Sequence, residues 1–256
     1  MLTEPPSHRQ WQQLLANDVA QHYRAAGRFA YHFAKSKVKH DPLFHDIFCP
    51  GLGADELGVD IDLLDLGSGQ GFLATALVVA QQLQALGRWP ALPGSTGGKP
   101  LRLNSYLGIE YSAANVAQAQ TAFAAIDPSC NRLECVQGNI LDVPYPSVKT
   151  IALIDVLHYL NYPQQEQVLV RARSALLAQG KLLLRVGNAE VSQSNWVSQA
   201  IDRMVSRWRG ADSGQLYCRG LSQWMLLLKS LGFIPRVTSR ATNMFFSNVM
   251  IVAELP

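Results

Sequence analysis

The stretch that decides the fold is DIDLLDLGSGQGFLATALVVAQQLQAL, Asp60–Leu86. Its first part, IDLLDLG, is short, apolar and ended by a glycine, which is the pattern of a strand buried in a parallel sheet. From Gly71 onward the length and composition are those of a helix. Between the two stands Asp65-Leu66-Gly67-Ser68-Gly69-Gln70-Gly71. Alternating glycines allow a tight turn and let a ligand press against bare backbone at a helix N-terminus. In an open α/β sheet this first turn is where a nucleotide-like ligand binds. The same glycines also have a purely structural reading, as the geometry of a strand-to-helix turn. An acid at a strand end likewise has one, as a helix cap.

The ligand class follows from what surrounds the glycines. A dinucleotide fingerprint needs glycine at position 72, where this chain has Phe72, and no Gly-Lys-Ser/Thr follows as a phosphate loop would need. Asp65 would repel a pyrophosphate but suits a cation. The next strand ends in Leu107-Gly108-Ile109-Glu110, a carboxylate placed to accept two ribose hydroxyls. Glu110 alone would serve a nicotinamide cofactor equally well; Asp65, Phe72 and a hairpin at the C-terminal end discriminate against one.

Working outward, strand-like runs fall at Ser105–Ile109, Leu133–Gln137, Thr150–Asp155 and Lys181–Val186, with helical stretches at Ala113–Ile126 and Pro163–Leu177. Alternating strands and helices imply a mostly parallel sheet with helices on both faces. Residues 88–104 carry three prolines and three glycines and read as a surface insertion. Asn195–Trp208 and Leu221–Leu231 read as helices. Ile234–Arg240 and Met244–Ala253, joined by Ala241-Thr242-Asn243, read as a terminal hairpin, so the last strand runs antiparallel. Residues 8 to about 48 read as helices, with Trp11, Leu14, Leu15, Val19 and Tyr23 at helical spacing. The expected organisation is a helical N-terminal lid over 1–58 and one α/β domain over 59–256.

Composition narrows the partners. Lys and Arg number 22 against 19 Asp and Glu, a net charge of +3 that excludes a nucleic-acid binder by bulk electrostatics. Cys49, Cys130, Cys135 and Cys218 show no C-x-x-C and no zinc spacing, so no metal is expected and they read as buried thiols. The first residues, MLTEPPSHRQW, lack the apolar core of a signal peptide. The longest apolar stretch, Phe72–Ala80, is too short to span a bilayer. The expectation is a cytoplasmic protein with no membrane span.

With these residues in place, the chain resembles the class I S-adenosylmethionine-dependent methyltransferases from about Asp60 onward. The matching stretches are LLDLGSGQG (63–71), YLGIEYS (106–112), VQGNILDVP (136–144), IDVLHYL (154–160) and LLAQGKLLLRV (176–186), in the family's order. The resemblance implies a Rossmann-like, seven-stranded, mostly parallel sheet with an antiparallel last strand. It also implies S-adenosylmethionine as cofactor and S-adenosylhomocysteine as product. Gly67, Ser68 and Gly69, in the turn closed by Gly71, would line the methionine and ribose. Asp65 would assist through the amino group. Glu110 would take the ribose hydroxyls and Tyr111 pack on the adenine. Asn139 stands where the family often has an aspartate that accepts from the adenine amino group; Ile140 would cover the ring and Asp155 sit near the methionyl end.

Methyl transfer is an in-line displacement from a sulfonium, so the protein mainly positions the nucleophile and excludes water. A hydroxyl acceptor must also lose its proton. His158, the one histidine beyond residue 45, stands after the fourth strand and is the candidate base. The other reading of His158 is a polar residue with no proton role. Exocyclic-amine methylation of DNA typically uses Asn/Asp-Pro-Pro-aromatic where this chain has Asp-Val-Leu-His, and no cysteine follows a proline as a cytosine C5 nucleophile would. A small-molecule acceptor in a biosynthetic role is expected. Tyr31, Lys37 and Tyr159 are candidate substrate contacts.

Two segments are basic and aromatic. His22–His40 holds Arg24, Arg28, Lys35, Lys37 and Lys39 without an acid, and Ile201–Arg240 holds seven Lys and Arg against Asp202 and Asp212. Solvated helix faces explain them; a mouth for an acidic acyl carrier protein is the sharper reading. YRAAGRFAYHFAKSKVKHDPLF (23–44) also resembles the N-terminus of methyltransferases of bacterial aryl-polyene and related pigment pathways, which would imply an aromatic, phenolic acceptor. The alternatives are an NAD(P)-dependent oxidoreductase and a non-catalytic binding subunit with this fold.

Overall fold

Apolar spacing along the N-terminal segment builds the first helices. In a computed structural model, which describes residues 8–48, 60–88, 102–126, 132–190, 216–242 and 247–256, α1 is His8–His22. Its Trp11, Leu15 and Val19 fall on one face and are buried, as a stripe of i, i+4, i+8 positions requires. α2 (Arg28–His40) buries Ala30, Ala34 and Val38, small residues that let it lie close on α1. A short α3 (Pro42–Phe48) follows.

β1 (Asp60–Leu66) leads through the glycine turn into α4 (Phe72–Ala85), in which ten residues are buried. The apolar stretch Phe72–Ala80 is therefore a core helix. The other strands are β2 (Arg102–Glu110), β3 (Arg132–Gln137), β4 (Val148–Ile154), β5 (Leu176–Gly187), β6 (Ile234–Thr242) and β7 (Ser247–Glu254). The helices between and after them are α5 (Ala113–Ala124), α6 (Tyr162–Ala175) and α7 (Leu221–Ser230). The seven strands form one sheet in the order β3-β2-β1-β4-β5-β7-β6. β2 pairs with β3 and β4 with β5 in parallel, whereas β7 runs antiparallel to both β5 and β6. This is the expected α/β sheet with an antiparallel last strand.

Several boundaries differ from the sequence reading. Arg102–Asn104, expected in the insertion, already belong to β2: Leu103 is fully buried and its N–H donates to Gln81 Oε1 at 3.0 Å. β5 begins at Leu176, where the helix was expected to continue, because Leu176 leaves helical geometry and pairs with Val148. β6 runs to Thr242, so Ala241 and Thr242, expected in the hairpin link, belong to the strand. Residues 89–101 of the insertion, the Asn195–Trp208 helix, Cys49 and Cys130 lie outside the described residues. Cys135 is buried and Cys218 exposed.

The described residues fall into two compact units, one drawn from Met1–Leu63 with Ser68–Gln137, the other from Leu64–Gly67 with Gly138–Pro256. Among the described residues no helix is long and apolar enough to cross a membrane.

Candidate functional site

In the first unit the glycine turn is wired to the end of β2. The Ser68 N–H donates to the Ile109 carbonyl at 3.2 Å, and the Gly71 N–H closes the turn on the Ser68 carbonyl at 3.1 Å. The Gly69 N–H donates to Glu110 Oε2 at 2.9 Å. Glu110 Oε1 accepts from the Ser112 N–H at 2.9 Å and from Asn115 Nδ2 at 3.3 Å. This acid thus caps the start of α5 and also meets the glycine turn. An ionised carboxylate has about four acceptor positions. Three are used here, which leaves capacity for a hydroxyl donor.

The three glycines of the turn have different reasons to be glycine. All have positive φ: Gly67 +79°, Gly69 +57° and Gly71 +73°. A Cβ on Gly71 would lie 2.7 Å from the Phe123 ring, so that glycine serves packing. A Cβ on Gly69 would meet nothing within 4 Å among the described residues. Gly69 alone of the three opens onto space, as a cradle for a ligand's backbone-hugging atoms requires. Beside it, Gln70 is 9% exposed and its Oε1 is buried with no hydrogen-bond partner among the described residues. An orphaned acceptor at this place fits a ligand that carries a donor such as an ammonium.

Other expected residues of this unit are placed as follows. Tyr111 is 66% exposed, its carbonyl accepting from Gln137 Nε2 at 3.3 Å. Tyr31 lies under the Arg24 guanidinium, 5.1 Å from the ring centre. Lys37 pairs with Asp41 at 2.6 Å, one helical turn on. Phe29, well exposed, stacks on Phe33, whose ring is 5.8 Å from that of Phe72 at the start of α4.

The second unit carries the remaining candidates. A Cβ on Gly67 would lie 2.6 Å from Val156 Cγ2, so packing excludes a side chain there. Asp65 is buried at the end of β1. Asp155, at φ +53°, caps β4 and is held by Arg185 of β5. Arg185 Nε donates to Asp155 Oδ1 at 2.8 Å, Nη2 donates to Oδ2, and the Asp155 N–H returns a bond to the Arg185 carbonyl at 3.1 Å. The sequence reading missed Arg185, although a lone cation in the apolar run LLLRV was a usable signal.

Leu157–Tyr159 form a turn of 3-10 helix, with the His158 ring 4.1 Å from that of Tyr159. Gln165, fully buried, clamps this turn. Its Nε2 donates to the carbonyls of Leu157 at 3.0 Å, Leu160 at 3.0 Å and Tyr217 at 2.8 Å, while the Tyr217 N–H donates to the His158 carbonyl at 2.9 Å. Nothing in the sequence distinguishes Gln165 from an exposed helix glutamine.

The segment after β3 is also clamped. Asn139 Oδ1 accepts from the Leu141 N–H at 3.0 Å and its Nδ2 donates to Asp142 at 2.9 Å, so this side chain shapes its own turn. Ile140 is buried. Arg171 of α6 donates to the carbonyls of Ile140, at 2.7 Å, and Val143, and stacks on Tyr145. Burial pushes the Tyr145 phenol up to about 12, against the pull of Arg171. Trp224 and Phe233, two aromatics of the basic segment Ile201–Arg240, are core residues. No group of three His, Cys, Asp or Glu is placed to hold a metal among the described residues.

Comparison with solved structures decides the fold family. The chain resembles magnesium protoporphyrin IX methyltransferase from Synechocystis PCC 6803, solved with bound SAH, over 99% of its own length and 90% of that chain. The identity is 14% and the TM-score 0.51. An O-methyltransferase family protein from Burkholderia thailandensis matches at TM-score 0.58 and 15% identity, over 96% of this chain and 70% of that one. The chain has the class I methyltransferase fold. Human N-acetylserotonin methyltransferase, in complex with SAM, matches this methyltransferase fold at TM-score 0.54 and 16% identity, over 91% of the present chain. The chain spans only 57% of that protein's length. No protein-family model and no curated protein matches the sequence.

Proposed function

We propose that this chain transfers a methyl group from S-adenosylmethionine to a small organic acceptor and releases S-adenosylhomocysteine. The observation that carries the reading is Gly69: its N–H is tied to Glu110 and its Cβ position is open. The orphaned Gln70 Oε1 and the buried Asp65 suit a ligand with a cationic amino-acid end.

Bound S-adenosylmethionine supplies an electrophilic methyl group on a good leaving group. In this reading Glu110 takes the ribose hydroxyls, one on its remaining acceptor position and the other sharing an oxygen already bonded by the turn or by α5. Gly67, Ser68, Gly69 and Gly71 shape the turn along the methionine and ribose. Tyr111, Asn139 and Ile140 border the adenine, and Asp155, locked by Arg185, stands by the methionyl end. His158 takes the acceptor's proton where the acceptor is a hydroxyl. Residues 1–58 act as the acceptor-side lid of the 59–256 domain, with Tyr31, Lys37 and Tyr159 toward the acceptor.

A second reading concerns the acceptor. The exposed faces of α2 present Arg28, Lys39 and the stacked Phe29–Phe33 pair, which suits an acidic acyl carrier protein bearing an aromatic or phenolic group. Methylation of carrier-bound phenols with no methylation of free ones would support it; the reverse removes it.

Isothermal titration tests the main reading. S-adenosylhomocysteine should bind and raise the melting temperature, a ligand at a hundred times its Kd adding about 2.7 kcal/mol of stability. Stabilisation by NAD(P) instead would favour the oxidoreductase. Binding of neither would favour a non-catalytic subunit.

A further inference from the structure

Tyr23 carries the N-terminal segment to the glycine turn. Tyr23, just past the end of α1, is fully buried. Its hydroxyl donates to the Gln70 carbonyl at 2.8 Å and lies 3.2 Å from Thr75 Oγ1. Thr75 Oγ1 donates in turn to the Gly71 carbonyl at 3.0 Å. The Gln70–Gly71 peptide is thus held from both sides, its N–H by the Ser68 carbonyl and its C=O by the phenol. The Tyr23 ring packs against Phe72, the first residue of α4, with centroids 4.9 Å apart.

The turn needs such a brace. Gly69 and Gly71 flank the peptide, and glycine has the most backbone freedom to lose on ordering. Phenylalanine would give the same ring packing, so the hydroxyl is the part of Tyr23 that acts on the turn. Burial raises the phenol's pKa well above its ordinary 10, so it stays protonated and remains a donor. α1 anchors the donor through Trp11, Leu15 and Val19, all buried.

We infer that Tyr23 is a positioning residue for the cofactor: by holding the Gln70 carbonyl it sets the conformation in which the glycine turn binds, and it makes the N-terminal helical segment a determinant of cofactor affinity. This rests on the cofactor reading above. Ordering the turn before binding removes a cost the ligand would otherwise meet.

The test is Tyr23→Phe, with S-adenosylhomocysteine titrated well below the melting temperature of wild type and variant. Loss of one buried hydrogen bond predicts a Kd raised roughly fivefold to tenfold. A variant that melts lower but binds within about twofold of wild type has lost only structure, and overturns the inference. Absence of binding by the wild-type chain overturns the cofactor reading and this inference with it. Where Tyr23→Phe does not fold, hydrogen exchange on the wild-type chain decides. By reciprocity, S-adenosylhomocysteine should slow exchange at Tyr23–Gly27 as well as at 67–75. Protection confined to 67–75 overturns the inference.

Discussion

The N–H of Gly69 and the carboxylate of Glu110 meet at 2.9 Å, forty-one residues apart in the chain, and this bond joins the glycine turn to the end of β2. Glu110 also accepts from the Ser112 N–H and Asn115, so it is a shared acceptor for donors only. Glu110→Gln turns an NH2 toward one of those N–H groups. Stability should fall by about 1–3 kcal/mol in urea titrations, and the Kd for S-adenosylhomocysteine should rise tenfold or more. A variant that binds normally would detach Glu110 from the cofactor.

The glycines should separate by cause. Among the described residues nothing but its positive φ opposes Gly69→Ala, about 1–2 kcal/mol, and the variant should lose cofactor binding while staying folded. Gly67→Ala adds a clash with Val156 and should melt lower still; Gly67→Ala with Val156→Ala should regain part of that loss. Equal melting temperatures for the two single variants, or intact binding by Gly69→Ala, would contradict this assignment.

The Arg185–Asp155 pair is buried on the arginine side, with 7% of that side chain and 30% of the Asp155 side chain exposed. Asp155→Asn leaves the guanidinium without its counter-charge and should cost about 2–4 kcal/mol, the exposure of Asp155 keeping it below the fully buried range. Arg185→Met should cost a similar amount, and the double variant less than the sum of the two. Strict additivity would mean the pair is not coupled.

His22 supplies an acid-side signature. Burial lowers its pKa below the ordinary 6.5, with Asp18 opposing. As pH falls through 6.5 the unfolded chain takes up the proton first, so stability drops until the lowered folded-state pKa is also passed. His22→Gln should remove that part of the decline, and urea midpoints measured at about pH 7.5 and about pH 5.5 should differ less for the variant than for wild type. An unchanged difference would place the acid sensitivity elsewhere.

Local pattern alone determined much of this protein. The glycine run after IDLLDLG located the turn, because a strand, a tight bend and a helix each leave their own spacing in twenty-odd residues. The alternation beyond it specified a parallel sheet, and the C-terminal pair of runs specified the antiparallel last strand, since periodicity is a short-range property. What the pattern did not contain is which groups are brought together across long separations. Gly67 and Gly69 read alike in the sequence, yet Val156 fills the space beside one and no described residue fills it beside the other. Asp155 read as a residue for the methionyl end of a cofactor, with no sign that Arg185, thirty residues on, bonds both its oxygens. Tyr23 read as one more aromatic on a helical stripe; only packing brings its hydroxyl to the Gln70 carbonyl. Hydrogen bonds and close contacts of that kind depend on where the sheet carries each chain segment, and the tertiary structure alone decides that.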